Sequence, residues 1–284
     1  MNSDELGRKR STLDFIVYFI VKVRNDDIFA LASQLAYYLV LSFFPFLIFL
    51  MTVVGASSLD SMEILDGLSN ILPSTVFDLV ASIVTEVVNN QYTGLLGVSI
   101  VLSIWAASSG FRAVIKGVNK AHDIKETRSF IKRSIIAMIF TFVLALIILL
   151  TLAMLVFGDL IGAYLLAILP FYKAVKMIWN ILRYSIIVSM MIVTFAAIYR
   201  FTPAQKIKWK QVLPGAMVST IGWIVASLGF AFYVNNFANY SRLYGSLGAV
   251  FILMTWIYIT SMILIVGAEI NSVLILRKQQ RDNW

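Results

Sequence analysis

Long runs of apolar residues, each followed by a shorter polar segment, dominate the chain. A helix rises about 1.5 Å per residue, so roughly 20 apolar residues cross a hydrocarbon layer of about 30 Å. Six runs reach or approach that length, near 31–54, 94–110, 134–157, 178–199, 212–234 and 247–271. The second is the shortest and is rich in serine and glycine. Backbone amides immersed in lipid must be hydrogen-bonded within their own segment, which selects helices for such runs. The pattern predicts one all-α domain, a polytopic membrane helical bundle of about six transmembrane helices with amphipathic interfacial helices beside them.

Three further stretches have apolar character without the form of a span. Residues 13–23 are interrupted by Asp14 and Lys22 and are too short to cross, so a basic interfacial helix is expected there. Residues 160–172 are also short and contain Gly162 and Pro170, which reads as an interfacial or re-entrant piece. Between 55 and 93, Phe77, Val80, Ile83, Val84, Val87 and Val88 recur at helical spacing while Asp78, Ser82 and Glu86 take the other face. That spacing predicts an amphipathic helix packed on the outer ends of the bundle, with a mobile gate or lid as the alternative.

Charge gives the bundle a direction. Of the 23 Lys and Arg, 19 fall in 1–30, the connection after the second run, the connection after the fourth, and 272–284. The 55–93 segment has neither Lys nor Arg and carries Asp60, Glu63, Asp66, Asp78 and Glu86. Since Lys and Arg accumulate on the cytoplasmic side, both termini are expected to be cytoplasmic, in a bacterial inner membrane. This asymmetry accounts for the net charge of +8 without nucleic acid. Only 13% of the residues are charged, against about 25% in soluble domains, so a water-soluble surface is not expected. The first ten residues lack the apolar core of a cleaved signal peptide, and none is expected. The absence of cysteine excludes disulfides and thiolate sites.

Ionisable and polar groups inside the spans are the candidate functional residues, because a charge at the bilayer centre costs at least about 2.5–3.5 kcal/mol. Glu269, with Asn271 two positions on, lies in the inner part of the last run, and Arg183 lies near the outer end of the fourth. Gln34, Tyr38 and Ser42 form a stripe at helical spacing ahead of Pro45, which should free the carbonyl of Leu41. Gln34 and Tyr38 share the depth of Glu269 and are expected to approach it, forming part of a substrate or ion pathway. Gly215, Ser219, Gly222, Ala226 and Gly229 make a small-residue seam for close helix packing. Asn239, Tyr240, Arg242 and Tyr244 are candidates for contact with outer lipid headgroups.

Several patterns in sequence order resemble the YihY/virulence factor BrkB family of bacterial inner-membrane proteins. They include Leu35-Ala36-Tyr37-Tyr38 with Ser42-Phe43-Phe44-Pro45, Trp105-Ala106-Ala107-Ser108-Ser109-Gly110, and Tyr199-Arg200-Phe201-Thr202-Pro203. Pro214-Gly215-Ala216, Tyr244-Gly245-Ser246-Leu247-Gly248-Ala249 and Gly267-Ala268-Glu269-Ile270-Asn271 continue the series. The resemblance implies topology and location but no substrate. Some relatives carry an old ribonuclease label, whereas a metal-dependent nuclease needs clustered carboxylates or histidines. The one cytoplasmic cluster, His122, Asp123 and Glu126, sits among seven Lys and Arg and reads as a solvated face. The expectation is a non-enzymatic chain without cofactor or metal. It is expected to translocate an amphiphilic or anionic substrate or, alternatively, to scaffold or regulate envelope partners. No phosphate-binding loop for ATP is present. Membrane lipids are the expected partners, with a second copy or an envelope protein as further candidates and nucleic acid excluded.

Overall fold

The computed structural model describes residues 17–55, 96–168, 172–237 and 247–282, with isolated helical positions at Leu65, Ser69, Phe77, Asp78, Ala81 and Ser82. Seven helices make up the continuous segments. Helix α1 covers 17–25 and is followed by six long helices: α2 (Ile28–Gly55), α3 (Leu96–Ala121), α4 (Phe130–Ile168), α5 (Tyr172–Phe201), α6 (Trp209–Phe237) and α7 (Leu247–Asp282). The long ones coincide with the six apolar runs, and the protein is an all-α membrane helical bundle. Among the described residues, Phe130–Thr151, Lys176–Phe201, Trp209–Val234 and Val250–Gln279 are long and apolar enough to cross a membrane.

Lipid and protein faces separate cleanly along these helices. Ile139, Phe142, Leu146 and Leu150 of α4, and Ile221, Val225, Leu228 and Phe232 of α6, are exposed at helical intervals. Such a stripe is at home only against hydrocarbon. Helix α7 is the hub: 39% of its apolar span is buried, against 22% or less for α4, α5 and α6. It packs on α6, α2 and α3. One core gathers Ile28, Leu35, Ile115, Tyr199 and Ile265, and a second gathers Phe49, Phe230, Leu253 and Ile257.

Two sequence expectations change at this level. Helix α4 runs unbroken for 39 residues to Ile168, so most of the 160–172 stretch is a continuation of α4. A single glycine costs a helix only about 1 kcal/mol, too little to end one at Gly162. Helix α2 likewise continues through Pro45. Ser42 Oγ donates to the carbonyl of Leu39, not Leu41, while the residue itself is buried where α2 packs against Gly110 of α3. In the 55–93 segment the described positions keep the expected pattern. Phe77 and Ala81 pack on the second core, and Asp78 and Ser82 are exposed.

Candidate functional site

The basic ends of the helices come together in three dimensions, and tight turns position the groups there. After α1 the chain reverses at Asp26 and Asp27, with Asp27 in the left-handed region at φ 48°. After α3 it turns at Asp123, also left-handed at φ 54°. Aspartate tolerates this conformation better than most side chains. The turns deliver two carboxylates to one place.

Lys22 of α1 lies between them. Its Nζ is 2.6 Å from Asp26 Oδ2, 2.9 Å from Asp123 Oδ2 and 3.5 Å from Glu269 Oε2 of α7. Lys120 approaches Asp26 at 3.9 Å. Lys22 and Asp26 are almost completely buried, and the Glu269 side chain has no exposure at all, whereas Asp123 is 61% exposed. Burial works against the Lys22 ammonium. The hydrogen bonds to Asp26 and Asp123, with the charge of Glu269, outweigh it and hold the lysine above its ordinary range. Neither carboxylate oxygen of Glu269 receives a hydrogen bond among the described residues. A carboxylate thus sits inside the bundle against one cation that two other acids hold more closely.

The expected partners of Glu269 are elsewhere. Gln34 and Tyr38 are exposed on α2 and donate nothing to it, so the predicted approach of these groups is not found. Asn271 follows by two residues and therefore points about 200° around the helix. Its Oδ1 accepts from Gly215 N–H at 2.7 Å and its Nδ2 donates to the Val212 carbonyl at 3.2 Å. Asn271 ties α7 to α6 just where Pro214 disturbs the α6 hydrogen-bond ladder. Sequence reading missed Lys22 and Asp26 as site residues. The signal was present: a lysine interrupting an apolar run, with an acid four residues later on the same face.

The small-residue seam is graded. A Cβ on Gly215 would strike the Gly267 carbonyl and Asn271, and one on Gly267 would strike Ser219 Oγ and Tyr199 Oη. Tyr199, fully buried on α5, is bonded to Ser219 Oγ at 2.7 Å and donates to the Leu264 carbonyl at 2.9 Å. At Gly222 the fit to Ile263 is ordinary contact, and at Gly229 there is open space; Ala226 is partly buried. Gly267 and Tyr199 are the seam's unpredicted members.

A second brace crosses the same end. Glu126 accepts from Arg128 Nε and Nη2 at 2.8 and 2.7 Å and from Asn119 Nδ2 at 2.9 Å. Arg128 also donates to the Thr202 carbonyl, and Ala204 N–H donates to Asn119 Oδ1. The Arg128 hydrogen bonds pull the Glu126 carboxyl below its usual range. The cluster expected to be a solvated face is therefore divided: Glu126 clamps the α5–α6 turn, Asp123 serves Lys22, and His122 is largely buried. Burial, reinforced by Lys22, pushes His122 down to about 4. Arg183, expected near the outer surface, is 6% exposed beside the Tyr184 ring. Asn239, Tyr240, Arg242 and Tyr244 lie outside the described residues.

Residues 19–283 match the Virulence factor BrkB family, and the chain belongs to it. It is similar to the "Putative ribonuclease-like protein YfkH" of Bacillus subtilis, with 36% identity covering 88% of this chain and 91% of the relative. It is also similar to a UPF0761 membrane protein of Alteromonas mediterranea, with 27% identity covering 90% and 86%. A UPF0761 membrane protein of Vibrio vulnificus is 25% identical over 98% of this chain and 86% of its own length. No solved structure matches.

Proposed function

We propose that this BrkB-family protein resides in a bacterial cytoplasmic membrane, basic end inward and both termini cytoplasmic, and translocates an amphiphilic or anionic substrate. The Lys22 cluster is the inner closure of its path. One observation carries this reading: Glu269 is completely buried, and its single counter-charge among the described residues reaches it at 3.5 Å without a hydrogen bond while being held at 2.6 and 2.9 Å by Asp26 and Asp123. Movement of α1 would break the longest of these contacts first and leave Lys22 neutralised by its own acids. Exposed Asp123 then links Glu269 to cytoplasmic water by way of Lys22. Intramembrane carboxylates arranged in this way suit a coupled or gated pathway.

The test is purified protein in liposomes, following fluorescent lipids and ions against empty vesicles and a Glu269→Gln variant. Movement above the empty vesicles, altered by the variant, is expected. Equal rates in all three would sink the proposal.

A second reading, a non-transporting scaffold for envelope partners, draws on the α6–α7 seam, where Gly215 and Gly267 leave no space between backbones. Under either reading the chain is not an enzyme. The ribonuclease-like name of the Bacillus relative gains no support from Asp123 and Glu126, which are engaged by Lys22 and Arg128.

A further inference from the structure

The α3–α4 corner at the basic end carries a cluster of cations of which only Lys120, near Asp26, takes part in the contacts above. Arg133 of α4 and Arg112 of α3 lie close enough for their like charges to oppose each other. Neither pairs with a carboxylate among the described residues, and Arg133 Nε is buried there without a hydrogen bond. Among the described residues, Arg112 has only a neutral partner, Ser108 Oγ at 2.7 Å, and the face of Trp105 at 5.3 Å. Arg133 lies over Phe130 at 5.7 Å. Two guanidiniums held together on aromatic rings, without an acid between them, call for an anion.

A cavity of about 360 Å³ opens beside them, with Lys116, Lys120 and Arg133 on its wall and Leu31 and Ile115 beneath. The one acid on that wall, Glu126, is already bonded to Arg128 and Asn119 and does not neutralise the others. The depth also fits. Arg133 is three residues into the apolar stretch that begins at Phe130, about 4.5 Å along the helix. Trp105, Phe130 and Ile131 are exposed there, the first two in ring contact at 6.3 Å. Aromatic side chains flanked by cations mark the level of lipid headgroups.

We infer that this corner is a binding site for the phosphate-bearing headgroup of an anionic phospholipid of the inner leaflet, held by Arg112 and Arg133 with Lys116 on the cavity wall. An acyl chain lies along exposed Phe130 and Ile131. The site is separate from the Lys22–Glu269 contact, and a bundle that moves nothing across the membrane would hold the lipid equally well. The orientation that puts it in the inner leaflet is taken from the reading above; failure of that orientation would move the site to the other leaflet without abolishing lipid binding.

The test is native mass spectrometry of the full chain in detergent with added phosphatidylglycerol or phosphatidylcholine. Phosphatidylglycerol adducts are expected to form at about tenfold lower lipid concentration. Arg133→Gln and Arg112→Gln should each weaken this preference several-fold without lowering the thermal midpoint. Lys132→Gln, an exposed neighbour outside the cavity, should leave it intact. Millimolar inorganic phosphate should compete only weakly. Equal binding of both lipids would overturn the inference. So would a Lys132→Gln loss as large as that of Arg133→Gln, the mark of diffuse surface charge. Full displacement by inorganic phosphate would assign the site to a soluble anion instead.

Discussion

On one face of α7, Gly267 lies against Gly215 and Ser219 of α6 so closely that a single added carbon has no place. On another face, two residues later, Glu269 meets Lys22 of α1 across 3.5 Å without a hydrogen bond. The first contact is short-ranged and uncharged, and its strength comes from backbones packed in register. The second is electrostatic, falls off slowly with distance, and is shared among competing acids. A helix held in these two ways can keep its seam with α6 while its contact with α1 opens. On the proposed reading, that contrast couples the packing of the bundle to opening at its basic end.

The largest effect should come from stripping the charged face of its cation. Lys22→Met leaves Glu269 buried without a counter-charge and Asp26 with only Lys120 at 3.9 Å, and a loss of about 3–5 kcal/mol is expected in denaturation of the reconstituted protein. Glu269→Gln removes an acceptor that has no hydrogen bond and should change stability by less than about 1 kcal/mol. Comparable losses from both would mean that Glu269 is as tightly bound as Asp26. The seam should respond according to position. Gly267→Ala is expected to cost about 1–3 kcal/mol by overpacking against Ser219 and Tyr199. Gly229→Ala, with nothing near its new carbon, should stabilise by about 0.5–1 kcal/mol through helix propensity. Thermal midpoints of the two variants moving in the same direction would contradict a graded seam.

Much of this was legible in the sequence. Apolar runs of the length of a span are a direct consequence of the solvent they face, so six helices and the gathering of basic segments at one end could be read without structure. Gly215 and Ser219 were legible for the same reason, since small residues at helical spacing are the packing device that lipid leaves available. The site was less so. Glu269 announced itself as a charge in an apolar run, but its partner lies 247 positions away, on a helix that reads as interfacial because Lys22 interrupts it. Helical spacing placed Gln34, Tyr38 and Ser42 on one stripe, yet Ser42 is buried and the other two are exposed. Periodicity gives relative angle, not which side a neighbour occupies. The His122, Asp123 and Glu126 group read as one solvated face because nothing in the sequence marks the left-handed turn at Asp123, past the end of α3, or the separate partners Lys22 and Arg128.

A smaller, pH-dependent effect distinguishes the basic end from the uncharged seam. His122 titrates near its ordinary 6.5 when unfolded and at about 4 when folded. Between these values the unfolded chain binds more protons, so stability should fall as pH drops from 6.5 towards 4 and level off below. His122→Gln should flatten this window in thermal denaturation, while Gly267→Ala should not. An unchanged acid slope in His122→Gln would place the sensitivity elsewhere.

On the proposed reading, Lys22 and Glu269 tether α1 to α7 by a contact able to open. Because the chain has no cysteine, spin labels can be placed at exposed Val21 on α1 and exposed Lys278 on α7 without disturbing either partner. Double electron–electron resonance in liposomes should give two α1–α7 distances in the otherwise unaltered protein. In Glu269→Gln the longer one should gain population. A single narrow distance, identical in both proteins, would contradict the account.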